Sequence, residues 1–375
     1  MKTLIFSHTV FGHHLEYLHH LYMRALELPR TSFVFAIPDD FHSVSSKMEW
    51  PKAENIEFVF FSAKQVKTSF ARSRYLGKVV RKYEVDEVVV VSLMLLLPWL
   101  PLFVPAKVEV SGIIYLIYLY RWAKSGWKTR ILDVLKYIIL TKSKVFHRIF
   151  LLNDKVSPRY LNQKFKTTKF RWLPDPVAIP TNHCVSDLRK EWNLGNNTRL
   201  FSHFGDLSIR KGTLNVLHAI IESNRDVLES SLFVFAGGVS HEIRREFYQL
   251  LEVAKRNGAN VKVFDEFCSY SFLLSLCRAS TAILIPYANT EQSSGVIAYA
   301  ALSKRPVLGP RKGLLGKLIE RYGLGLAVRD VTGKGLAKAI EKWVEVKVGK
   351  GDEYLADNSL LAFKRCFLSD SSLGG

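Results

Sequence analysis

The chain has 375 residues, 48% hydrophobic and 12% aromatic, with 22 Gly and 13 Pro. At roughly 150 residues per domain this suggests two domains, each able to bury a core without disulfides or metals, and it excludes a disordered, collagen-like or low-complexity chain. The formal charge is +19, of which residues 1–180 carry +13 and residues 181–375 carry +6. The first half therefore attracts polyanions: phosphorylated small molecules, an anionic membrane surface or nucleic acid.

The chain enters a strand at Thr3 to Ser7 before any signal-like apolar run of useful length, and continues into an amphipathic helix from about His14 to Leu28. Leu15, Leu18, Tyr22, Ala25 and Leu26 form its buried face, which leaves His13, Glu16, Tyr17 and His20 on the other side. The spacing H-x-x-E-x-x-x-H is not that of a zinc helix, so no metal site is expected. Strands follow at Ser32 to Ile37 and Ile56 to Phe60. From Lys64 to Lys82 there are seven cations and no acid, and six of them share one side of a helical wheel opposite Phe70, Val79, Val80 and Tyr83.

Val88 to Ala106 contains no charged residue and approaches the about 20 residues needed to span a bilayer. Pro98, Pro101 and Pro105 argue against a continuous helix. The stretch reads instead as a buried strand, Val88 to Val91, an apolar surface segment, and a strand near Val108 to Tyr115. Arg121 to Arg148 adds eight cations against the single acid Asp133, interleaved with Trp122, Trp127 and Tyr137. A basic amphipathic helix and an aromatic-cationic segment predict a membrane-surface footprint. After a strand at His147 to Leu152, the paired prolines of Trp172-Leu173-Pro174-Asp175-Pro176-Val177 make a stiff connector, and a domain boundary is placed at 178.

The second half repeats the pattern, with strands at Arg199 to Gly205, Leu232 to Ala236, Val261 to Phe264, Thr281 to Pro286 and Pro306 to Leu308. Two doubly wound α/β domains, 1–178 and 179–350, are predicted to face each other across a cleft, with ligands at the carboxyl ends of the strands. Residues 351–375 are predicted to form a helix, Glu353 to Phe367, and a tail. Cys184, Cys268, Cys277 and Cys366 form no C-x-x-C pair, which fits a reducing, cytoplasmic compartment.

Two turns carry the chemistry. Phe204-Gly205-Asp206-Leu207-Ser208-Ile209-Arg210-Lys211-Gly212 leaves a strand and opens a helix, where amide groups and a fixed cation act on one anion. Pro286-Tyr287-Ala288-Asn289-Thr290-Glu291-Gln292-Ser293-Ser294-Gly295-Val296 does the same, with a carboxylate ahead of a small-residue turn. Glu291 would accept sugar hydroxyls while the amides of Ser294, Gly295 and Val296 hold a diphosphate.

On these two turns the chain resembles the family 4 glycosyltransferases, retaining enzymes of GT-B architecture, over both domains and most strongly from Leu200 to Val328. Lys211 and Gly212 match the family's Lys-Gly, Glu291 its first Glu, and Ser294-Gly295-Val296 its phosphate turn. Asp206 stands at the family's usual Arg, with Arg210 adjacent as a second cation, and Tyr299 stands at the second Glu, which usually holds the ribose. Phe235-Ala236-Gly237-Gly238 and Ala300 to Val307 resemble structural parts of the donor site.

The resemblance implies transfer from a nucleotide-sugar donor (UDP-, GDP- or dTDP-sugar) to a saccharide or lipid-linked acceptor with retention. It also implies no required cofactor or metal, a peripheral position on the inner face of the cell membrane, and a last helix, within 351–375, that crosses back to the first domain. Gly12 and His13 would form the first domain's wall over donor or acceptor. Glu291, Lys211 and His13 are the candidate catalytic residues. Gly12, Gly205, Arg210, Lys211, Gly237, Glu291, Ser294, Gly295, Val296 and Tyr299 are the candidate donor-binding residues. A degenerate glycosyltransferase-like binding protein and a basic nucleic-acid-binding protein are the alternatives. The βα pattern supplies no RRM, helix-turn-helix or OB-fold, so nucleic acid is not expected as a partner.

Overall fold

Short apolar runs between amphipathic helices form two all-parallel sheets in the computed structural model, which describes residues 1–11, 13–121, 126–176, 185–343 and 346–367. The chain divides into two compact units, Met1–Pro176 with Ser359–Gly375, and Val177–Asn358.

The first unit holds strands β1 (Lys2–Phe6), β2 (Ser32–Pro38), β3 (Ile56–Phe61), β4 (Glu87–Val90), β5 (Glu109–Ile114), β6 (Phe146–Leu152) and β7 (Phe170–Leu173), in the order β3-β2-β1-β4-β5-β6-β7. Phe6 pairs with Ala36 on one side and Val90 on the other. The strand order therefore reverses between β1 and β4. The Val88-Val89-Val90 run is buried throughout, as helices on both faces of a parallel sheet require.

The second unit holds β8 (Arg199–Phe204), β9 (Ser231–Ala236), β10 (Asn260–Phe264), β11 (Ala282–Leu284), β12 (Val307–Pro310) and β13 (Gly325–Val328), in the order β10-β9-β8-β11-β12-β13. Its order reverses between β8 and β11. At such a switch point the loops leaving the two central strands part to opposite faces and open a crevice at their carboxyl ends.

Four expectations are corrected. The predicted surface segment after β4 is largely interior: Leu93, Met94, Leu96, Leu97, Leu100 and Val104 are buried, while Leu95, Pro98, Trp99 and Leu102 are exposed. The Ser69–Tyr83 helix packs on it so closely that a Cβ on Gly77 would lie 2.6 Å from the Phe103 carbonyl oxygen. Lys64 to Lys82 is not one helix, because Thr68 caps a new start with its side chain accepting from Ala71 N–H. That leaves Lys64 and Lys67 off the cationic face. Tyr17 and His20 of the His13–Leu26 helix are buried rather than exposed, since Phe363 covers them at ring distances of 5.6 and 6.0 Å. The final helical stretch is two helices, Gly351–Asp357 and Leu360–Phe367, broken at Asn358. No helix among the described residues is long and apolar enough to cross a membrane.

Candidate active site

Both sequence-selected turns lie at the switch point of the second unit, one leaving β8 and the other following β11. Their backbones are locked together. Ala288 N–H donates to the Arg210 carbonyl at 3.1 Å. Gly212 sits at φ +71° where a Cβ would be 2.1 Å from the Pro286 carbonyl oxygen, so only glycine lets the turns approach this closely.

Lys211 folds back over the strand end. Its Nζ lies 3.4 Å from the Phe204 carbonyl oxygen and 5.6 Å from the centre of the Tyr287 ring. Gly205, at φ +100°, makes room for that ammonium. Gly237, at φ +135° after β9, is pressed against Gly205, where a Cβ would stand 1.8 Å from its carbonyl oxygen. Arg210 and Asp206 are exposed at the rim of the turn.

On the second turn Glu291 is half-buried, its N–H accepted by the Asn289 side chain at 2.9 Å. Thr290 is held by Leu314 N–H on its carbonyl at 2.7 Å. Tyr287 and Ser294 share a buried hydroxyl contact of 3.0 Å, and Ser294 caps the Gly295–Ser303 helix by accepting from Val296 N–H at 3.3 Å. The Val296 amide is therefore engaged by the cap. Of the three amides selected from sequence, those of Ser294 and Gly295 stand at the amino end of the helix, where the peptide dipoles favour negative charge. Tyr299 stacks on Tyr270 at 6.1 Å and meets Phe204 edge-on at 5.7 Å.

His203 was not selected from sequence. It is buried on β8, with Nδ1–H donating to the Leu284 carbonyl at 2.8 Å and Nε2 accepting from the Thr213 hydroxyl at 3.0 Å. It joins β8, β11 and the helix that follows Lys211. Burial lowers its pKa to about 4, with the Leu284 carbonyl opposing and Lys211 assisting.

A second polar cluster lies at the carboxyl ends of β1, β4 and β5, the switch point of the first unit. Ser7 donates its hydroxyl proton to the Thr9 carbonyl, so His14 Nδ1–H donates to Ser7 Oγ at 3.1 Å and Nε2 faces the Ser92 hydroxyl at 3.4 Å. His8 lies edge-on to His14 at 5.2 Å, and Tyr115 lies 5.5 Å from His14. Burial, with Arg72 adding repulsion, lowers the His8 pKa to about 4. Tyr17 donates to the Asp175 carboxylate. Among the described residues His8 Nδ1, Arg72 Nε and Tyr115 Oη are buried without a hydrogen-bond partner, a costly arrangement that a ligand would relieve. His13 begins the adjoining helix, its side chain lying outside the described residues, as does Gly12. His8 directly follows the first strand, which was the available signal for it. The Arg72 and Tyr115 pairings have none in the sequence.

Seven- and six-stranded parallel sheets with interleaved helices make this a two-domain GT-B fold with Rossmann-like domains. Among solved structures, Alr3699/HepE of Anabaena in complex with UDP and glucose is 15% identical over 98% of each chain, with a TM-score of 0.64. WaaG, a glycosyltransferase involved in lipopolysaccharide biosynthesis, is 14% identical over 99% of this chain and 100% of its own, at 0.65. Sucrose-phosphate synthase of Thermosynechococcus elongatus is 14% identical over 97% and 96%, at 0.67. No protein-family model and no curated protein sequence matches the chain.

Proposed function

We propose that the protein is a nucleotide-sugar-dependent glycosyltransferase that transfers with retention, without a metal, to a saccharide or lipid-linked acceptor on the cytoplasmic side of a membrane. The observation that carries this reading is the pair of interlocked turns, which places a lysine, a carboxylate and a capped helix start at one switch point. Departure of a nucleoside diphosphate is the step with most charge to stabilise. Lys211 and Arg210, with the Ser294 and Gly295 amides, supply fixed positive potential there without reorganisation. Glu291 orients the transferred sugar by accepting from its hydroxyls. The His8, Arg72 and Tyr115 cluster takes the acceptor side. Neighbours of this fold crystallised with UDP and with UDP-glucose support a nucleotide-sugar donor, with a UDP-sugar the first to test.

The test is a thermal-shift panel of nucleoside diphosphates and nucleotide sugars, since a ligand that binds only the native state raises apparent stability. The expected result is a shift with one nucleotide that disappears in Lys211→Ala. Turnover in Lys211→Ala and in Glu291→Ala should fall about a hundredfold or more, with folding intact. Full activity in either folded variant removes the site assignment. The Tyr270–Tyr299 stack at the ribose position favours a second reading, a binding protein without catalysis. Donor binding without transfer or hydrolysis would select it.

A further inference from the structure

The Trp127–Lys142 helix has one face packed on its unit and an apolar face turned to solvent. Asp133, Tyr137, Leu140 and Thr141 are buried, with Tyr137 against Phe165 and Phe170 at 5.9 and 5.8 Å. On the other face Trp127, Ile131, Leu132, Leu135 and Ile138 are 68%, 50%, 60%, 47% and 39% exposed. A helix with its core face already packed does not need an apolar face in water as well, and such a face marks a site of interaction.

The charges around it identify the partner. Residues 127–144 carry five cations and one acid, Asp133, and that acid is in the core. The exposed part of the helix thus has no carboxylate, with Lys128 and Lys142 at the ends of the apolar face and Lys136 on its flank. Cations alone bordering an apolar face match a surface that is anionic outside and hydrocarbon within. The helix is also closed at its end: Lys169 Nζ donates to the carbonyls of Thr141 and Ser143 at 2.9 and 2.6 Å, so these terminal carbonyls do not need water.

We propose that this helix docks the protein on an anionic lipid surface by lying in the plane of the interface, with Trp127, Ile131, Leu132, Leu135 and Ile138 below the headgroups and Lys128, Lys136 and Lys142 among them. The proposal rests on the membrane-surface reading above and assigns it to one element. The Ser69–Tyr83 helix, equally basic, is set apart because Leu76, Val79 and Val80 are already buried and its one exposed large apolar residue, Phe70, packs on Trp99 and Phe103.

The experiment is co-sedimentation of the full-length chain with phosphatidylcholine vesicles, with and without phosphatidylglycerol. Wild type should partition onto the anionic vesicles. Ile131→Glu with Leu135→Glu should weaken partitioning about tenfold or more, with an unchanged melting curve because both positions are exposed. Leu102→Glu, in the other apolar patch, should leave binding as it is. Acyl-brominated lipid should quench tryptophan fluorescence in wild type, and the quenching should fall in Trp127→Phe. If the double variant binds as wild type does, or if Leu102→Glu alone loses binding, this helix is not the docking element although the membrane reading stands. If wild type ignores anionic vesicles, both fall. A concentration-dependent dimer that Ile131→Glu dissolves, without vesicle binding, would assign the face to a second copy and overturn the proposal.

Discussion

At the scale of single residues, His203 gives the candidate site a signature in stability as well as in binding. Its folded-state pKa is about 4, against about 6.5 for an exposed histidine. Between those values the unfolded chain binds a proton that the folded chain does not. Stability is therefore complete above about pH 6.5, falls as pH descends toward about 4, and levels off below; one such group contributes on the order of 3 kcal/mol. His8 and His20, also lowered to about 4, act in the same direction. Urea midpoints across this window should slope with pH, and His203→Gln should remove part of the slope; an unchanged slope would mean the imidazole is not held neutral. Gly237 makes a separate prediction. A methyl at φ +135°, 1.8 Å from the Gly205 carbonyl oxygen, forces the two loops apart, so Gly237→Ala should cost about 2 kcal/mol or more in denaturant midpoint.

At the scale of elements, the Trp127–Lys142 helix depends on a residue from another segment. Lys169 closes its last turn, and Lys169→Met keeps the apolar stem while removing a charged donor. That change should cost about 1.5 to 3 kcal/mol, read as loss of hydrogen-exchange protection confined to the helix end. The origin of that cap is nonlocal, which is why sequence reading does not find it. Elements were legible where the pattern is local: β1, β2, β9 and β12 announce themselves as apolar runs beside turn residues. β7 is only Phe-Arg-Trp-Leu beside two prolines and reads as connector, and Gly-Leu-Ala-Val at β13 is too short to signal. The interlocked turns were legible because each carries its charge, glycine and small residues together. The first unit's cluster was not, because His8, Arg72, Tyr115 and Asp175 come from four separate segments.

At the scale of the whole molecule, the chain does not finish one unit before starting the next. Residues from Ser359 onward belong with Met1–Pro176, and Phe363 is fully buried there. Phe363→Ala should lower the stability of the first unit by about 3 to 5 kcal/mol. It should also uncover His20, whose pKa is lowered chiefly by burial and should move back toward about 6.5 in an NMR titration. A His20 titration that stays put would show that Phe363 is not what shields it. Protein synthesis meets the same geometry in time. Tyr17 and His20 leave the ribosome early, yet their cover is translated only after the entire second unit, so the unit made first is completed last.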